Sequence, residues 1–150
     1  MRAAGFWSDQ TLLDVFLKTV RDDPARLAVT AYETTIGRRT ILTYEQLHQS
    51  ADRVAANLLR LGVKPGEVVS FQLPNWWQFV VLHIALLRIG AVTNPVMPIF
   101  RDREMEFMLS LAETRVMVIP QSFRDFDHAA MADRLKIKVP SLEHIVVIGS

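Results

Sequence analysis

The sequence predicts an α/β protein whose mostly parallel sheet is covered by helices on both faces. From residue 43 onward, short apolar runs typical of buried strands alternate with longer segments whose apolar residues recur at helical spacing. One of these helical segments, which starts near residue 76, is apolar around nearly its whole circumference and should lie between two layers. Strand–helix–strand units of this spacing connect by right-handed crossovers, so we expect a three-layer arrangement.

Composition excludes several classes of function. The chain has 150 residues, 50% of them apolar, which suffices for one folded domain. Seventeen basic and sixteen acidic residues give a net charge of +1 with no basic tract, so we expect no nucleic-acid partner. The lack of cysteine excludes disulfides and thiolate metal sites, and it fits the cytoplasm, which we predict as the location. No run reaches the roughly 18 apolar residues of a membrane span.

The N-terminal region predicts a helix and a small antiparallel hairpin. "SDQTLLDVFLKTVRDD" has helical apolar spacing, with Ser8 as the expected N-cap and Pro24 as the end. "LAVTAY" and "TILTY" predict two strands, and Gly37 between them can supply the positive φ of a turn. This hairpin is the one antiparallel part that we expect.

The next segments predict a capped helix followed by a buried strand. Thr43 and Gln46 have the Thr-x-x-Gln spacing of a capping box, and the helical pattern after them ends at Gly62. "VVSFQL" is apolar on both faces, which predicts a strand that is covered on both sides and ends at Pro74.

"LPNWWQF" predicts the start of the buried helix. Asn75 and Gln78 have the spacing of a second capping box, which places Trp76 and Trp77 in the first helical turn. We interpret the two indole rings as packing at the mouth of this helix. The alternative is ligand stacking, which would normally come with a basic groove, and the sequence has none.

The C-terminal half predicts an edge strand and two more strand–helix units. In "AVTNPVMPIF" two prolines prevent a central strand, so "NPVMPIF" should cross the surface as a loop. "RDREMEFMLSLAET" predicts a helix, "RVMVI" a strand, "DFDHAAMADRLK" a helix and "HIVVIG" a last strand. Asp125 and Asp127 beside the second helix are interpreted as solvated or capping residues. The side chains expected to face the core from the first helix are Met105, Met108, Leu109 and Ala112.

The search for catalytic motifs is negative within these residues. The six glycines are too scattered for a phosphate-binding loop, and the four histidines have no metal-ligand spacing. We therefore predict no catalytic residue and no metal ligand in this chain. Parallel sheets bind ligands at the carboxyl ends of their strands, so "LPNWW" and "NPVMPIF" are the loops where a binding site is expected.

Two stretches resemble the AMP-forming adenylating enzymes, the superfamily of acyl-CoA synthetases, luciferases and adenylation domains. "LTYEQL" resembles an early core motif of that family, Leu-Thr/Ser-Tyr-x-Glu-Leu, with the glutamate one position earlier. "ALLRIGAVTNP", residues 85–95, resembles the next motif, a leucine-rich helix end with Gly-Ala before a proline-bearing strand. The stretch from "LPNWW" to "MEFML" is most similar to the medium-chain and alicyclic carboxylate CoA ligases.

The resemblance implies a fold, a reaction and a set of small molecules. Residues 1–150 would be an N-terminal fragment of the large domain of an ATP-dependent carboxylate CoA ligase. Such an enzyme uses ATP and Mg²⁺ to form an acyl-adenylate from a small carboxylic acid, and coenzyme A then takes the acyl group. The phosphate loop, the hinge and the catalytic lysine of this family would come after residue 150, so the fragment alone should be inactive.

The resemblance also implies one binding position. Members of the family often have threonine where Arg101 stands, and an arginine is a poor N-cap with a charge unfavourable for a helix N-terminus. Because some members place a basic side chain of this loop near coenzyme A, Arg101 or Arg103 is the candidate contact to its phosphates. The alternative is a solvated arginine paired with Glu104 or Glu106.

Two other functions remain open at this point. The chain could be a stand-alone, non-catalytic binding or assembly module, which would self-associate through an incomplete lobe. It could also be an unrelated nucleotide-binding α/β enzyme, although the missing glycine loop disfavours that interpretation.

Overall fold

The computed structural model describes residues 9–34 and 36–149. Its helices are α1 (Leu12–Asp22), α2 (Tyr44–Arg60), α3 (Trp77–Arg88), α4 (Asp102–Leu111) and α5 (His128–Lys138). Its strands are β1 (Leu27–Glu33), β2 (Arg38–Thr43), β3 (Val68–Phe71), β4 (Val92–Pro95), β5 (Val116–Pro120), β6 (Ser122–Phe123), β7 (Phe126–Asp127) and β8 (His144–Ile148). The alternation of parallel strands with helices confirms the predicted α/β class.

The main sheet has four parallel strands in the order β4-β3-β5-β8. β4, which ends at Pro95, lies at one edge of this sheet, as the sequence predicted. β1 and β2 form the predicted antiparallel hairpin, and Gly37 in its turn has a φ of +64°. A second hairpin, β6–β7, was not predicted, so the expectation of a single antiparallel part was wrong.

Alternating side chains of β5 show that helices cover both faces of the sheet. Val116 and Val118 pack in the cluster beneath α2 and α3, whereas Met117 and Ile119 pack beneath α4 and α5. All four are buried. The sheet therefore forms the middle of three layers, which confirms the predicted arrangement.

Helix α3 is covered on most sides, with five of its twelve residues buried and the others half-buried. None of its residues is exposed, because α1, α2 and the hairpin cover the side of α3 that faces away from the sheet. Phe71 of β3 contacts Phe79 of α3 edge to face, with the ring centroids 5.0 Å apart. The apolar pattern of this segment predicted its burial correctly.

Two of the predicted helix starts were placed incorrectly. The N-cap of α1 is Thr11, whose hydroxyl accepts from the backbone N–H of Asp14, while Ser8 lies outside the described residues. Asn75 does not cap α3, because the N-cap position is held by Trp76 and no side chain caps it. In a tight turn, the Trp76 N–H donates to Pro74 O over 2.7 Å. This turn places Asn75, which is exposed, one position before the N-cap.

The third predicted cap is present at α2. The Thr43 hydroxyl accepts from the backbone N–H of Gln46 over 3.2 Å, and the Gln46 side chain accepts from the Thr43 N–H over 3.0 Å. We expect Thr43→Ala to lower the free energy of unfolding by about 1 kcal/mol, because the backbone N–H of Gln46 loses its acceptor. Urea unfolding measures the change. Thr43→Ser retains the hydroxyl and should stay within about 0.5 kcal/mol of the wild type.

Candidate functional site

Three loops meet at the carboxyl ends of β3, β4 and β5. They comprise residues 72–76, 96–101 and 121–127. Hydrogen bonds join the first loop to the second, and ring contacts join the third loop to both. This edge is where parallel sheets bind ligands, and two of its three loops were predicted from the sequence.

Gln72 ties the second loop to the end of β3. It is fully buried, and its side-chain Nε2 donates to Met97 O over 2.9 Å and to Phe100 O over 3.0 Å. A buried amide requires hydrogen-bond partners, and here the partners are main-chain carbonyls of the loop. Gln72 therefore links residues 96–101 to the end of β3 through two hydrogen bonds.

His128, the first residue of α5, also contacts the side-chain amide of Gln72. Its Nδ1 lies 3.0 Å from Gln72 Oε1. Because the Gln72 NH₂ group is occupied by two carbonyls, Oε1 accepts and Nδ1 carries the proton. His128 is fully buried, and its Nε2 has no hydrogen-bond partner among the described residues. Burial, and then the charge of Arg101, lower the pKa of His128, while Asp127 opposes this shift, so the imidazole is neutral at pH 7.

Arg101 lies against the same cluster. Its guanidinium stands 4.0 Å above the centroid of the Phe126 ring, and its Nη1 donates to Pro98 O over 2.8 Å and to Phe100 O over 3.0 Å. Among the described residues, its Nε and Nη2 make no hydrogen bond. Arg101 thus presents donor groups at the sheet edge from a position that the loop holds in place.

The glutamates considered as partners of Arg101 do not pair with its side chain. Glu104 accepts from the Arg101 backbone N–H over 3.2 Å, and Glu106 binds Lys138 over 2.9 Å. Arg103 is exposed on the first turn of α4 and makes no hydrogen bond or ion pair with the described residues. The structure therefore brings Arg101 into the cluster and leaves Arg103 outside it.

Trp76 connects the first loop to the third. Its ring meets the ring of Phe123 edge to face, with the centroids 6.2 Å apart, and both side chains are half-buried. The guanidinium of Arg124 lies 5.3 Å from the centroid of the Phe123 ring. These contacts agree with the interpretation of Trp76 as a packing residue.

Sequence reasoning missed Gln72, Phe126 and His128. One signal was present, because a glutamine directly after the apolar strand "VVSF" must find partners if it is buried. Asp127 was expected to be solvated or to cap a helix, and its carboxylate accepts from the Ala130 N–H over 2.9 Å at the start of α5. The partners of Gln72 lie 25 to 56 residues further along the chain.

An apolar groove opens on the face of the sheet that α2 and α3 cover. It has a volume of about 460 Å³ and lies between α2, α3 and the end of β8. Trp77 lines it together with Val54, Leu58, Val81 and Ile148. The side-chain Oε1 of Gln78, in the same wall, has no hydrogen-bond partner among the described residues.

The described residues do not fit a site for ATP or Mg²⁺. Within residues 9–34 and 36–149, no group of three or more His, Asp or Glu side chains could hold a metal ion. The glycines of this part with positive φ, at positions 37, 62, 66 and 90, lie in separate turns and do not form a phosphate-binding loop.

Within residues 9–34 and 36–149, no helix has the length and apolarity needed to cross a membrane.

Comparison with known proteins places this architecture in a family. The model of the AMP-binding enzymes matches residues 16–150. The salicyl-AMP ligase / salicyl-S-ArCP synthetase of Mycobacterium tuberculosis is 39% identical over 99% of this chain and 26% of its own length. The medium-chain fatty-acid–CoA ligase of Escherichia coli is 30% identical over 97% of this chain and 25% of its own length.

Solved structures give the same result. The apo structure of MbtA from Mycobacterium smegmatis has a TM-score of 0.81 and 34% identity, over 97% of this chain and 26% of that chain. The anthranilate CoA ligase AuaEII, in complex with anthranoyl-AMP, has a TM-score of 0.78 and 25% identity, over 99% of this chain and 27% of that chain. This chain spans about a quarter of the length of these relatives. It belongs to the family of AMP-binding enzymes, as the early core motifs suggested.

Proposed function

We propose that this chain is the N-terminal part of an AMP-forming carboxylate ligase that activates a fatty or alicyclic acid and transfers it to coenzyme A. The observation that carries the proposal is the family match over residues 16–150. The relationship to the fatty-acid–CoA ligase of Escherichia coli supports the choice of acid and acceptor. The sites for ATP and Mg²⁺ would then lie on residues that follow position 150.

The proposed reaction has two steps. A carboxylate oxygen of the acid attacks the α-phosphorus of ATP, and pyrophosphate leaves to give the acyl-adenylate. The sulfur of coenzyme A then attacks the acyl carbon, AMP leaves, and the thiol proton is released as the thioester forms. We expect residues 1–150 alone to be inactive, because the described residues form neither a metal site nor a phosphate-binding loop.

The contribution of this chain would be a contact to coenzyme A. We propose that Arg101, with Arg103 as the second candidate, binds a phosphate of that cofactor. The Nε and Nη2 donors of Arg101 make no hydrogen bond to the described residues, and the stacking on Phe126 holds the guanidinium in place. A guanidinium with two adjacent free donors matches the geometry of a phosphate.

Substitution of Arg101 in the full-length enzyme tests this contact. We expect Arg101→Ala to raise the KM for coenzyme A about tenfold, because a charge-assisted hydrogen bond of about 1.4 kcal/mol is lost. The rate of acid-dependent exchange between pyrophosphate and ATP should remain at the wild-type value, because it reports the first step alone. Arg60→Ala, at the exposed end of α2, is the matched control and should leave both values unchanged. A wild-type KM in Arg101→Ala would overturn the contact.

A second candidate function follows from the salicyl-AMP ligase relative. That protein is named for an aromatic acid and a carrier-protein acceptor, and it is 39% identical to this chain. The full-length enzyme should therefore be assayed for pyrophosphate exchange with octanoate, cyclohexanecarboxylate and salicylate. Exchange with salicylate alone, and no thioester with coenzyme A, would favour this second candidate over the first.

A stand-alone assembly module is the non-catalytic alternative. The apolar groove beside Trp77 supplies the observation behind it, because exposed apolar surface favours association. Size-exclusion chromatography of the 150-residue chain at two concentrations tests self-association. A shift toward larger species at the higher concentration would support association, and an unchanged elution volume would contradict it.

A further inference from the structure

One main-chain carbonyl is shared by the two polar side chains of the sheet edge. Phe100 O accepts from Gln72 Nε2 and from Arg101 Nη1, each over 3.0 Å. The two donors come from different loops, since Gln72 directly follows β3 and Arg101 directly precedes α4. A shift of this carbonyl would therefore disturb both side chains together.

Further contacts close this arrangement into a ring. Gln72 Oε1 accepts from His128 Nδ1 over 3.0 Å, and the His128 ring meets Phe126 edge to face at 5.0 Å and 83°. Phe126 in turn carries the Arg101 guanidinium on its face at 4.0 Å. Four side chains and the carbonyl of Phe100 thus support one another in a closed sequence of contacts.

Burial makes this ring specific to one geometry. Gln72 and His128 are fully buried, so water cannot replace a hydrogen bond that either of them loses. Replacing Gln72 by an apolar residue would leave the His128 Nδ1–H without a partner, and the carbonyls of Met97 and Phe100 would each lose one of the two hydrogen bonds that they accept. The loop would then lose the two side-chain hydrogen bonds that hold it to the residue after β3.

We propose that Gln72 and His128 are positioning residues, which hold residues 96–101 and place Arg101 for its contact with a phosphate of coenzyme A. This inference rests on the proposed function of Arg101. Neither residue touches the ligand in this arrangement. They act through the carbonyl of Phe100 and through the ring of Phe126.

Three variants of the full-length enzyme separate positioning from simple structural support. Gln72→Met keeps a similar length without the amide, and His128→Leu removes the imidazole. His128→Asn is the conservative variant, because its amide nitrogen can take the place of Nδ1 and donate to Gln72 Oε1. The readouts are amide hydrogen exchange of residues 97–101 by mass spectrometry, the KM for coenzyme A and the rate of pyrophosphate exchange.

We expect Gln72→Met and His128→Leu to speed amide exchange in residues 97–101 roughly tenfold, while the peptides of α2 and α3 keep their wild-type rates. The KM for coenzyme A should rise about as much as in Arg101→Ala, roughly tenfold, with pyrophosphate exchange unchanged. His128→Asn should retain most of the wild-type values. Combining His128→Leu with Arg101→Ala should raise the KM no further than Arg101→Ala alone, because both act on one contact.

The outcomes distinguish this inference from the proposed function. Wild-type exchange in residues 97–101 for both Gln72→Met and His128→Leu would overturn the positioning role, even if Arg101→Ala raises the KM. Faster amide hydrogen exchange in Gln72→Met and His128→Leu, together with a wild-type KM for coenzyme A in Arg101→Ala, would support the positioning of the loop and overturn the contact to coenzyme A. If Gln72→Met does not fold, the comparison of His128→Leu with His128→Asn gives the same test.

Discussion

Replacing Phe71 by alanine should lower the free energy of unfolding by about 3–5 kcal/mol, the largest change that we expect from a single substitution in this chain. Phe71 is fully buried in β3, which has a neighbouring strand on both sides. Its ring contacts Phe79 of α3, and Val118 of β5 belongs to the same cluster. Because strands and a helix surround this position, the cavity left by the ring cannot close easily.

Urea unfolding followed by tryptophan fluorescence measures this loss. Phe107→Ala removes the same side chain from the surface of α4, where Phe107 is 66% exposed, and it should change the free energy of unfolding by no more than about 0.5 kcal/mol. Similar losses for the two variants would contradict the position of Phe71 between the sheet and α3.

Acidification should destabilise the protein through His128 before it affects the carboxylates. Burial and the charge of Arg101 lower the pKa of the folded-state imidazole below its ordinary value of about 6.5. At pH values between the folded-state pKa and the unfolded-state pKa of His128, the unfolded chain binds more protons than the folded chain. Stability is therefore complete above about pH 6.5 and falls as the pH decreases toward the folded-state pKa, by at most about 1.4 kcal/mol per pH unit.

Unfolding midpoints in urea between pH 7.5 and pH 5 test this prediction. His128→Gln lacks the titrating group and should have a weaker pH dependence than the wild type over this range. The carboxylates with lowered pKa values contribute in a lower window. Hydrogen bonds from the Lys64 backbone N–H to Glu67 and from Arg134 to Asp102 stabilise their charged forms, so their contributions are lost only below about pH 4.5. Equal pH dependence in wild type and His128→Gln would contradict the neutral, buried imidazole.

Local patterns predicted the elements that depend on neighbouring residues. The capping box of Thr43 and Gln46 and the apolar circumference of α3 were both correct, because each is encoded within a few turns of one helix. The cap assigned to Asn75 was wrong for a local reason as well. The turn after Pro74 shifts the helix start by one position, and a residue pattern does not specify this backbone geometry.

The candidate site could be predicted only in part, because its contacts are non-local. Arg101 was identified from the resemblance to the adenylating enzymes, which often have threonine there, together with a charge that is unfavourable at a helix N-terminus. The structure supplies the reason why it is tolerated, since the guanidinium stacks on Phe126 and binds two carbonyls of its own loop. The pairing of Gln72 with His128 joins residues 56 positions apart, and no periodicity or spacing in the sequence indicates it.

The three apolar clusters of this fold differ in how early they can form during synthesis on the ribosome. Among the described residues, the members of the cluster between α1, α2, α3 and the hairpin lie between Leu13 and Ile89. The cluster beneath α4 and α5 requires residues as late as Ile145, and the one between the sheet and α2 and α3 requires Ile148. Since chains emerge N-terminus first, the outer helical layer can assemble while β3 still lacks its partner β5. This order would allow the sheet to be completed against a helical surface that already exists.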